Sequence, residues 1–192
     1  MSQLSDFNAC IHNKWITSSL GVQYAINDDT LYFQCSKGIT DWKYNLMIPV
    51  VAYKHNKDTY LIHIGYKLLW HDIRDNIADC SFTHIRGYSQ GAVFACLAHE
   101  DRLYKHGITC DTVVFGSPKF LFMPSSYTKE MFSGIIRVSN KDDLVTKIPP
   151  FYSHIGIPIS LSKKGKWLKD TGLIEYLSGH SPHQYRHNLE NK

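Results

Sequence analysis

The pentapeptide Gly87-Tyr88-Ser89-Gln90-Gly91 constrains this chain more than any other segment. It follows a short β-rich run, residues 82–86, and leads into residues 89–106, where Val93, Phe94, Leu97 and Leu103 fall on one helical face. A serine at the apex of so sharp a strand-to-helix turn needs neighbours without side chains, because the two backbones must pack closely. The helix start behind it presents backbone N–H groups to developing negative charge. In that setting the pentapeptide predicts a nucleophilic serine on an α/β scaffold. A plain strand-to-helix turn using two glycines is the alternative reading.

Along the rest of the chain, strands alternate with helices. Val22, Tyr24 and Ile26 alternate with polar residues, residues 30–36 form a β-rich run, and Asn27-Asp28-Asp29 between them predicts a hairpin. Leu68, Leu69, Ile73 and Ile77 predict a helix over 66–80, and Gly107 stands where a helix ending at His106 needs a left-handed residue. Residues 111–115, 134–138 and 151–161 read as strands; the first is closed by Gly116-Ser117-Pro118, and the second runs into a polar loop, 139–143. Such alternation implies helices packed around a largely parallel sheet. With 192 residues, no internal repeat and no Pro/Gly/Ser linker, residues 1–192 are expected to form one compact domain.

Composition narrows the classes of function. A chain that is 43% hydrophobic and 20% charged can bury a core and is not disordered. Its net charge of +4 is spread without a basic stripe, which argues against nucleic acid as a partner. The apolar stretches are far shorter than the roughly 20 residues of a membrane span. The first residues lack the basic start and apolar centre of an export signal, so the expected location is cytoplasmic. Cys10, Cys35, Cys80, Cys96 and Cys110 have neither metal-type spacing nor the arrangement of a disulfide framework, and they read as small apolar residues in a reducing compartment.

A serine nucleophile needs a base and an orienting acid, which on this kind of scaffold follow in the order Ser, Asp or Glu, His. The loop after residues 134–138 supplies Asp142 and Asp143, and beyond it stand His154, His180, His183 and His187. Spacing alone does not choose among the histidines. His180, His183 and His187 could instead share a helical face and bind a metal, but no acidic or cysteine partner is near them in sequence, so no metal is expected.

Five blocks in order give the chain a resemblance to the class 3 lipases, the fungal-type triacylglycerol lipase family, from about residue 30 to 161 and more loosely to the end. Phe33-Gln34-Cys35-Ser36, followed by Asp41-Trp42, resembles that family's Phe-Arg-Gly-Ser/Thr block with its downstream Trp. Ile62-His63-Ile64-Gly65-Tyr66 resembles the Val-His-x-Gly-Phe that opens a helix. The stretch from Gly87 to Ala92 resembles Gly-His-Ser-Leu-Gly-Gly, and Phe115-Gly116-Ser117-Pro118 resembles Phe-Gly-x-Pro. Finally, Arg137-Val138, Asp143, Val145, Pro149-Pro150 and His154 resemble Arg-Val-x-x-x-x-Asp-x-Val-x-x-Leu-Pro-Pro with its trailing His.

The resemblance implies an α/β-hydrolase fold, with a largely parallel central sheet and helices on both faces. It implies hydrolysis of carboxylic esters, of acyl-glycerol or related lipid type, with no cofactor. Ser89 would be the nucleophile, and Asp143, which directly precedes a Leu-Val pair, the acid. Ser36 and Gln90 would supply the two N–H groups of the oxyanion hole. His154 matches a family histidine outside the catalytic set and is expected to be a hydrogen-bonded residue beside the sheet. For the base, His180 is expected, since a loop histidine ahead of a helix opened by Pro182 is free to face Ser89. His183 is the alternative base.

The segment after the oxyanion residue forms a lid in the family, which makes residues 37–46 the lid candidate; an ordinary surface helix would look the same. The chain departs from the family pattern at Gln34, Cys35, Tyr88, Gln90 and Ala92. Of these, Gln90 makes the pocket floor more polar. That leaves a small-ester carboxylesterase or an acyltransferase as alternatives on the same triad, and a catalytically silent binding module as the alternative from another class. The expected partners are a lipid or small ester substrate and, transiently, a lipid interface.

Overall fold

The computed structural model describes residues 2–34, 49–55, 58–161 and 178–192. Helix α1 (Gln3–Ala9) is capped by Ser2, whose Oγ accepts from the amide of Ser5 at 3.2 Å, and leads to the short edge strand β1 (Ile16–Thr17). Strands β2 (Gln23–Asn27) and β3 (Thr30–Phe33) form the predicted hairpin, Asn27 opposite Thr30, with Asp28 in the left-handed turn position at φ 52°. A second hairpin, β4 (Val50–His55) and β5 (Asp58–His63), is an element that the sequence reading leaves out. Its alternation is plain along β5, where Tyr60 and Ile62 are buried and Thr59 and Leu61 exposed.

Helix α2 (Ile64–Ile73) starts two residues ahead of the predicted position because β5 runs straight into it, and a single 3₁₀ turn, Asp75–Ile77, carries the rest of the predicted stretch. Strand β6 (His84–Tyr88) and helix α3 (Gln90–His106) flank Ser89, and Gly107 ends the helix in the left-handed conformation at φ 66°. Strands β7 (Asp111–Phe115) and β8 (Leu121–Phe122), helix α4 (Ser126–Met131) and strand β9 (Ile136–Asn140) follow. The predicted strand over 151–161 is instead two strands in different sheets, β10 (Tyr152–Ser153) and β11 (Ile157–Leu161). Phe151 and Gly156 both take φ 71°, which interrupts extended backbone on either side of β10. Helix α5 (Pro182–Glu190) closes the chain.

The main sheet has the order β1-β2-β3-β6-β7-β9-β11, in which β3, β6, β7, β9 and β11 run parallel and β1 and β2 antiparallel. A smaller antiparallel sheet has the order β10-β8-β5-β4. Successive residues of β7 alternate between the faces of the main sheet. Val114 joins the core formed with Val93, Phe94 and Leu97 of α3, whereas Val113 and Phe115 join Phe7 of α1 and Tyr185 and Leu189 of α5. Helices therefore cover both faces, and the parallel strands β3, β6, β7 and β9 all end along one edge, where open α/β sheets bind ligands. Among the described residues, no helix is long and apolar enough to cross a membrane.

Candidate active site

Ser89 sits at the carboxyl end of β6 with φ 58° and ψ −125°, a conformation that is costly for a residue other than glycine. Its amide donates to the carbonyl of Phe115 at 2.9 Å, which fixes the apex on the neighbouring strand. The two glycines of the pentapeptide answer the steric need inferred from the sequence. A Cβ on Gly91 would lie 2.6 Å from the carbonyl oxygens of Phe33 and Gln34, and one on Gly87 would strike the carbonyl of Gly91. Strand β3, strand β6 and the first turn of α3 can approach so closely only with glycine at both positions.

Asp143 follows β9 in a tight turn, its amide donating to Asn140 O at 3.2 Å. Its carboxylate is fully buried and takes three donors: Val145 N on Oδ1 at 2.9 Å, and Tyr185 Oη at 2.7 Å and His180 Nδ1 at 2.8 Å on Oδ2. A 3₁₀ turn, Val145–Lys147, carries the chain on, and Thr146 Oγ1 donates to Asp143 O at 2.8 Å. His154 lies beside this turn, with Nε2 2.5 Å from the carbonyl of Thr146. It is thus the hydrogen-bonded histidine that the sequence reading expects. Burial, with the positive charges of Arg137 and Lys119 adding to it, holds its pKa down at about 4.

His180 ends a 3₁₀ turn, Ser178–His180, just ahead of α5, which opens with Pro182, as the sequence suggests, and is capped by Ser181. Its Nε2 stands 2.7 Å from Ser89 Oγ and its Nδ1 faces Asp143. With Nδ1–H donating to the carboxylate, Nε2 is left to accept from the Ser89 hydroxyl. The turn is held from several sides. Asn140 Nδ2 donates to Gly179 O at 2.8 Å, Asn188 Nδ2 donates to Asn140 Oδ1 at 2.8 Å, and Tyr88 Oη donates to the carbonyl of His180. The Tyr88 ring also stacks on the imidazole, centroids 5.2 Å apart at an interplanar angle of 20°.

The structure brings Ser89, Asp143 and His180 together and leaves the other candidates apart from them. His183 is exposed on α5, and Asp143 rather than Asp142 meets His180. Since His180 precedes the helix and is engaged by Ser89 and Asp143, it does not share a helical face with His183 and His187. Among the described residues, no group of three or more His, Cys, Asp or Glu side chains is placed to hold a metal. Gln90 is the first residue of α3 and is buried, which puts its amide in the helix's first turn. Ser36 and the lid candidate, residues 37–46, lie outside the described residues.

In front of Ser89 is a cleft of about 330 Å³ lined by Tyr66, Gln90, Pro118, Val145, Ile148 and Pro149. Among the described residues, its lining is apolar apart from Ser89, Gln90 and the Tyr66 hydroxyl. Burial raises the pKa of Tyr66, so its phenol stays neutral there. Sequence reasoning missed Tyr88 and Tyr185 as supports of the site. Tyr88 carried a signal as a departure from the family's histidine, and Tyr185 as the aromatic that closely follows His180.

A family model, Lipase (class 3), matches residues 30–153, more than half of the chain. No curated protein matches by sequence. Among solved structures, the triacylglyceride lipase of Rhizomucor miehei superposes with a TM-score of 0.61 at 20% identity, over 77% of this chain and 65% of that one. Lipase II of Rhizopus niveus gives a TM-score of 0.59 at 17% identity, over 77% and 65%. A triacylglycerol lipase described as having a serine protease triad at its catalytic centre gives 0.61 at 18% identity, again over 77% and 65%. The chain therefore spans 65% of the length of these lipases. At such identities the superpositions establish the α/β-hydrolase fold, and the sequence match supplies the lineage. This chain belongs to the class 3 lipase family.

Proposed function

We propose that this protein hydrolyses carboxylic esters, with acyl-glycerols or related lipid esters as substrates. One observation carries the reading: an unbroken relay from Ser89 Oγ through both ring nitrogens of His180 to Asp143 Oδ2, with steps of 2.7 and 2.8 Å. In it, Nε2 takes the Ser89 proton as Oγ attacks the ester carbonyl. Asp143 keeps Nδ1 protonated and stabilises the imidazolium that forms. The amides of Gln90 and Ser36 receive the oxyanion. The alcohol leaves with the proton from Nε2, and water, activated by the same nitrogen, then releases the acid from acyl-Ser89.

Membership of the lipase family and the apolar walls of the cleft support a lipid ester. A second reading, cleavage or transfer of short acyl groups on the same triad, draws on the buried side chain of Gln90, which adds polarity to the cleft. Hydrolysis of p-nitrophenyl esters from acetate to palmitate tests both. Ser89→Ala and His180→Ala should each lower kcat about 10³-fold or more, while His183→Ala should stay within about twofold of wild type, because an exposed side chain takes no part in the relay. A profile rising toward palmitate favours the lipase, and one falling away after acetate the short-chain reading. Wild type no faster than Ser89→Ala on every ester would overturn the proposal.

A further inference from the structure

We propose that the tip of the smaller sheet, beside the mouth of the cleft, docks onto the surface of an anionic phospholipid bilayer; this deepens the reading of the site as a lipid-ester hydrolase and rests on it. Strands β8 and β10 pair Phe122 with Tyr152, so the next residues along the register, Met123 and Phe151, face each other beyond the end of the ladder. Both hold left-handed backbone, at φ 44° and φ 71°, a conformation that disfavours residues other than glycine. Both are also turned outward: Phe151 is 85% and Met123 76% exposed, the two highest values among the described large hydrophobic residues. Strained backbone that presents large apolar side chains to water gains nothing within the folded chain. It gains when those side chains are buried in something else.

The surroundings indicate what that something is. Leu144 and Ile148 are also exposed, and Ile148 lines the cleft. Residues 117–125 and 144–155, which build this face, contain Lys119 and Lys147 and no acidic residue. The amide of Lys119 donates to Ile148 O at 2.9 Å, which sets the Lys119 backbone beside a residue of the cleft wall. Apolar side chains leading, with lysines at their base, match the profile of an anionic bilayer, where headgroup charge overlies hydrocarbon. A second protein would cover the apolar area equally well but has no general use for the lysines.

The tip is also mechanically continuous with the site. Tyr152 of β10 packs on His63 at a centroid distance of 5.8 Å, and His63 on Tyr66, which lines the cleft, at 4.5 Å. An aromatic chain thus links the docked tip to a residue of the cleft wall.

The test is sedimentation of the Ser89→Ala protein with vesicles of phosphatidylcholine alone or mixed with phosphatidylglycerol, the substitution keeping the lipids intact. Partition onto the mixed vesicles should exceed that onto neutral ones by about tenfold or more. Phe151→Asn combined with Met123→Asn should remove most of that binding, as should Lys119→Gln combined with Lys147→Gln. Asparagine tolerates positive φ, so the tip variant should melt no lower than its parent. With Ser89 restored, it should cleave soluble p-nitrophenyl acetate at the parental rate. Vesicle binding that follows these variants in a protein without esterase activity would uphold docking while the catalytic reading fell. Equal binding to neutral vesicles, binding indifferent to the tip residues, or a dimer that the tip variant dissociates would each overturn the docking proposal.

Discussion

The hydroxyl of Tyr185 donates to Asp143 Oδ2 at 2.7 Å, on the same oxygen that His180 Nδ1 approaches at 2.8 Å. Both partners are fully buried, and Asn140 N donates to the Tyr185 oxygen in turn at 3.3 Å. A buried carboxylate with its donors removed loses about 1.5–3 kcal/mol per charge-assisted hydrogen bond. Tyr185→Phe should therefore lower stability in urea by about 1–3 kcal/mol and kcat by about tenfold, with KM little changed. Burial and the adjacent carboxylate push the Tyr185 pKa well up, so the phenol remains a donor throughout the working pH range. The pH–rate profile of wild type should accordingly show no alkaline limb that Tyr185→Phe abolishes; such a limb would contradict this role.

Tyr88 holds the other side of the same histidine. Its ring stacks on the imidazole while its hydroxyl reaches the His180 carbonyl, so it constrains both the plane and the backbone of the base. Tyr88→Phe keeps the stack and loses one hydrogen bond of about 1 kcal/mol, which corresponds to roughly a fivefold fall in kcat. Tyr88→Leu loses both contacts and should fall at least about tenfold further with an unchanged KM. Equal activity of the two variants would show that the ring does not position His180.

Glycines beyond the pentapeptide also shape the site. A Cβ on Gly179 would lie 2.7 Å from Asp142 O and 2.9 Å from Asp143 N, so the histidine turn and the aspartate turn touch backbone to backbone. Gly116, at φ 58°, leaves a Cβ only 3.0 Å from His180 Cε1. Gly179→Ala must part the two turns and should cost about 1–3 kcal/mol in stability. It should lower kcat about a hundredfold, because a displacement of about 1 Å within the relay is that costly. Activity of Gly179→Ala near wild type would mean that the turns separate without disturbing the relay.

These supports explain how far the site was legible in the sequence. Ser89 is announced locally, because close packing of β6 on α3 demands glycine at Gly87 and Gly91. Asp143 and His180 are far apart in the chain, and family resemblance with Pro182 was needed to bring them forward. The roles of Tyr88 and Tyr185 depend on the docking of α5 over the sheet, which has no local signature. The β4–β5 hairpin carries ordinary alternation and was readable. The break between β10 and β11 rests partly on Phe151 at positive φ, which residue type alone does not suggest.

His154 offers a pH-dependent test of the loop that carries Asp143. Its Nε2 must be protonated to meet the Thr146 carbonyl, and its Nδ1 is buried without a hydrogen-bond partner. Its folded pKa of about 4 lies below the ordinary 6.5, so the unfolded chain takes up the proton first. The stability associated with neutral His154 is therefore complete above pH about 6.5 and is lost as pH falls from there toward 4. Partial exposure of the ring screens the effect to about 1–2 kcal/mol. Urea midpoints at pH 7 and pH 4.5 should converge by that amount between wild type and His154→Gln, which keeps a donor but cannot titrate. Parallel pH curves would rule out the assignment.

The last prediction concerns α1, which lies far from the relay in sequence and braces it in space. Arg86 of β6 is buried, with Nε 2.9 Å from Asp6 Oδ2 in α1, and its Nη2 is 2.9 Å from Asp111 Oδ2. One residue further along α1, Phe7 packs on Tyr88 and Phe115 at 5.2 Å each and on Tyr185 at 5.5 Å. Asp6→Ala leaves the buried guanidinium short of a counter-charge and should cost about 3 kcal/mol. The loss should be accompanied by faster amide exchange in α1 and α5 and by reduced kcat. Asp6→Leu combined with Arg86→Met removes both charges and should recover most of the stability, since apolar residues of similar volume replace buried ion pairs at little cost. A loss below about 1 kcal/mol in Asp6→Ala, with α5 exchange unchanged, would mean that the ion pair does not anchor α1 and that the aromatic cluster around Phe7 holds it alone.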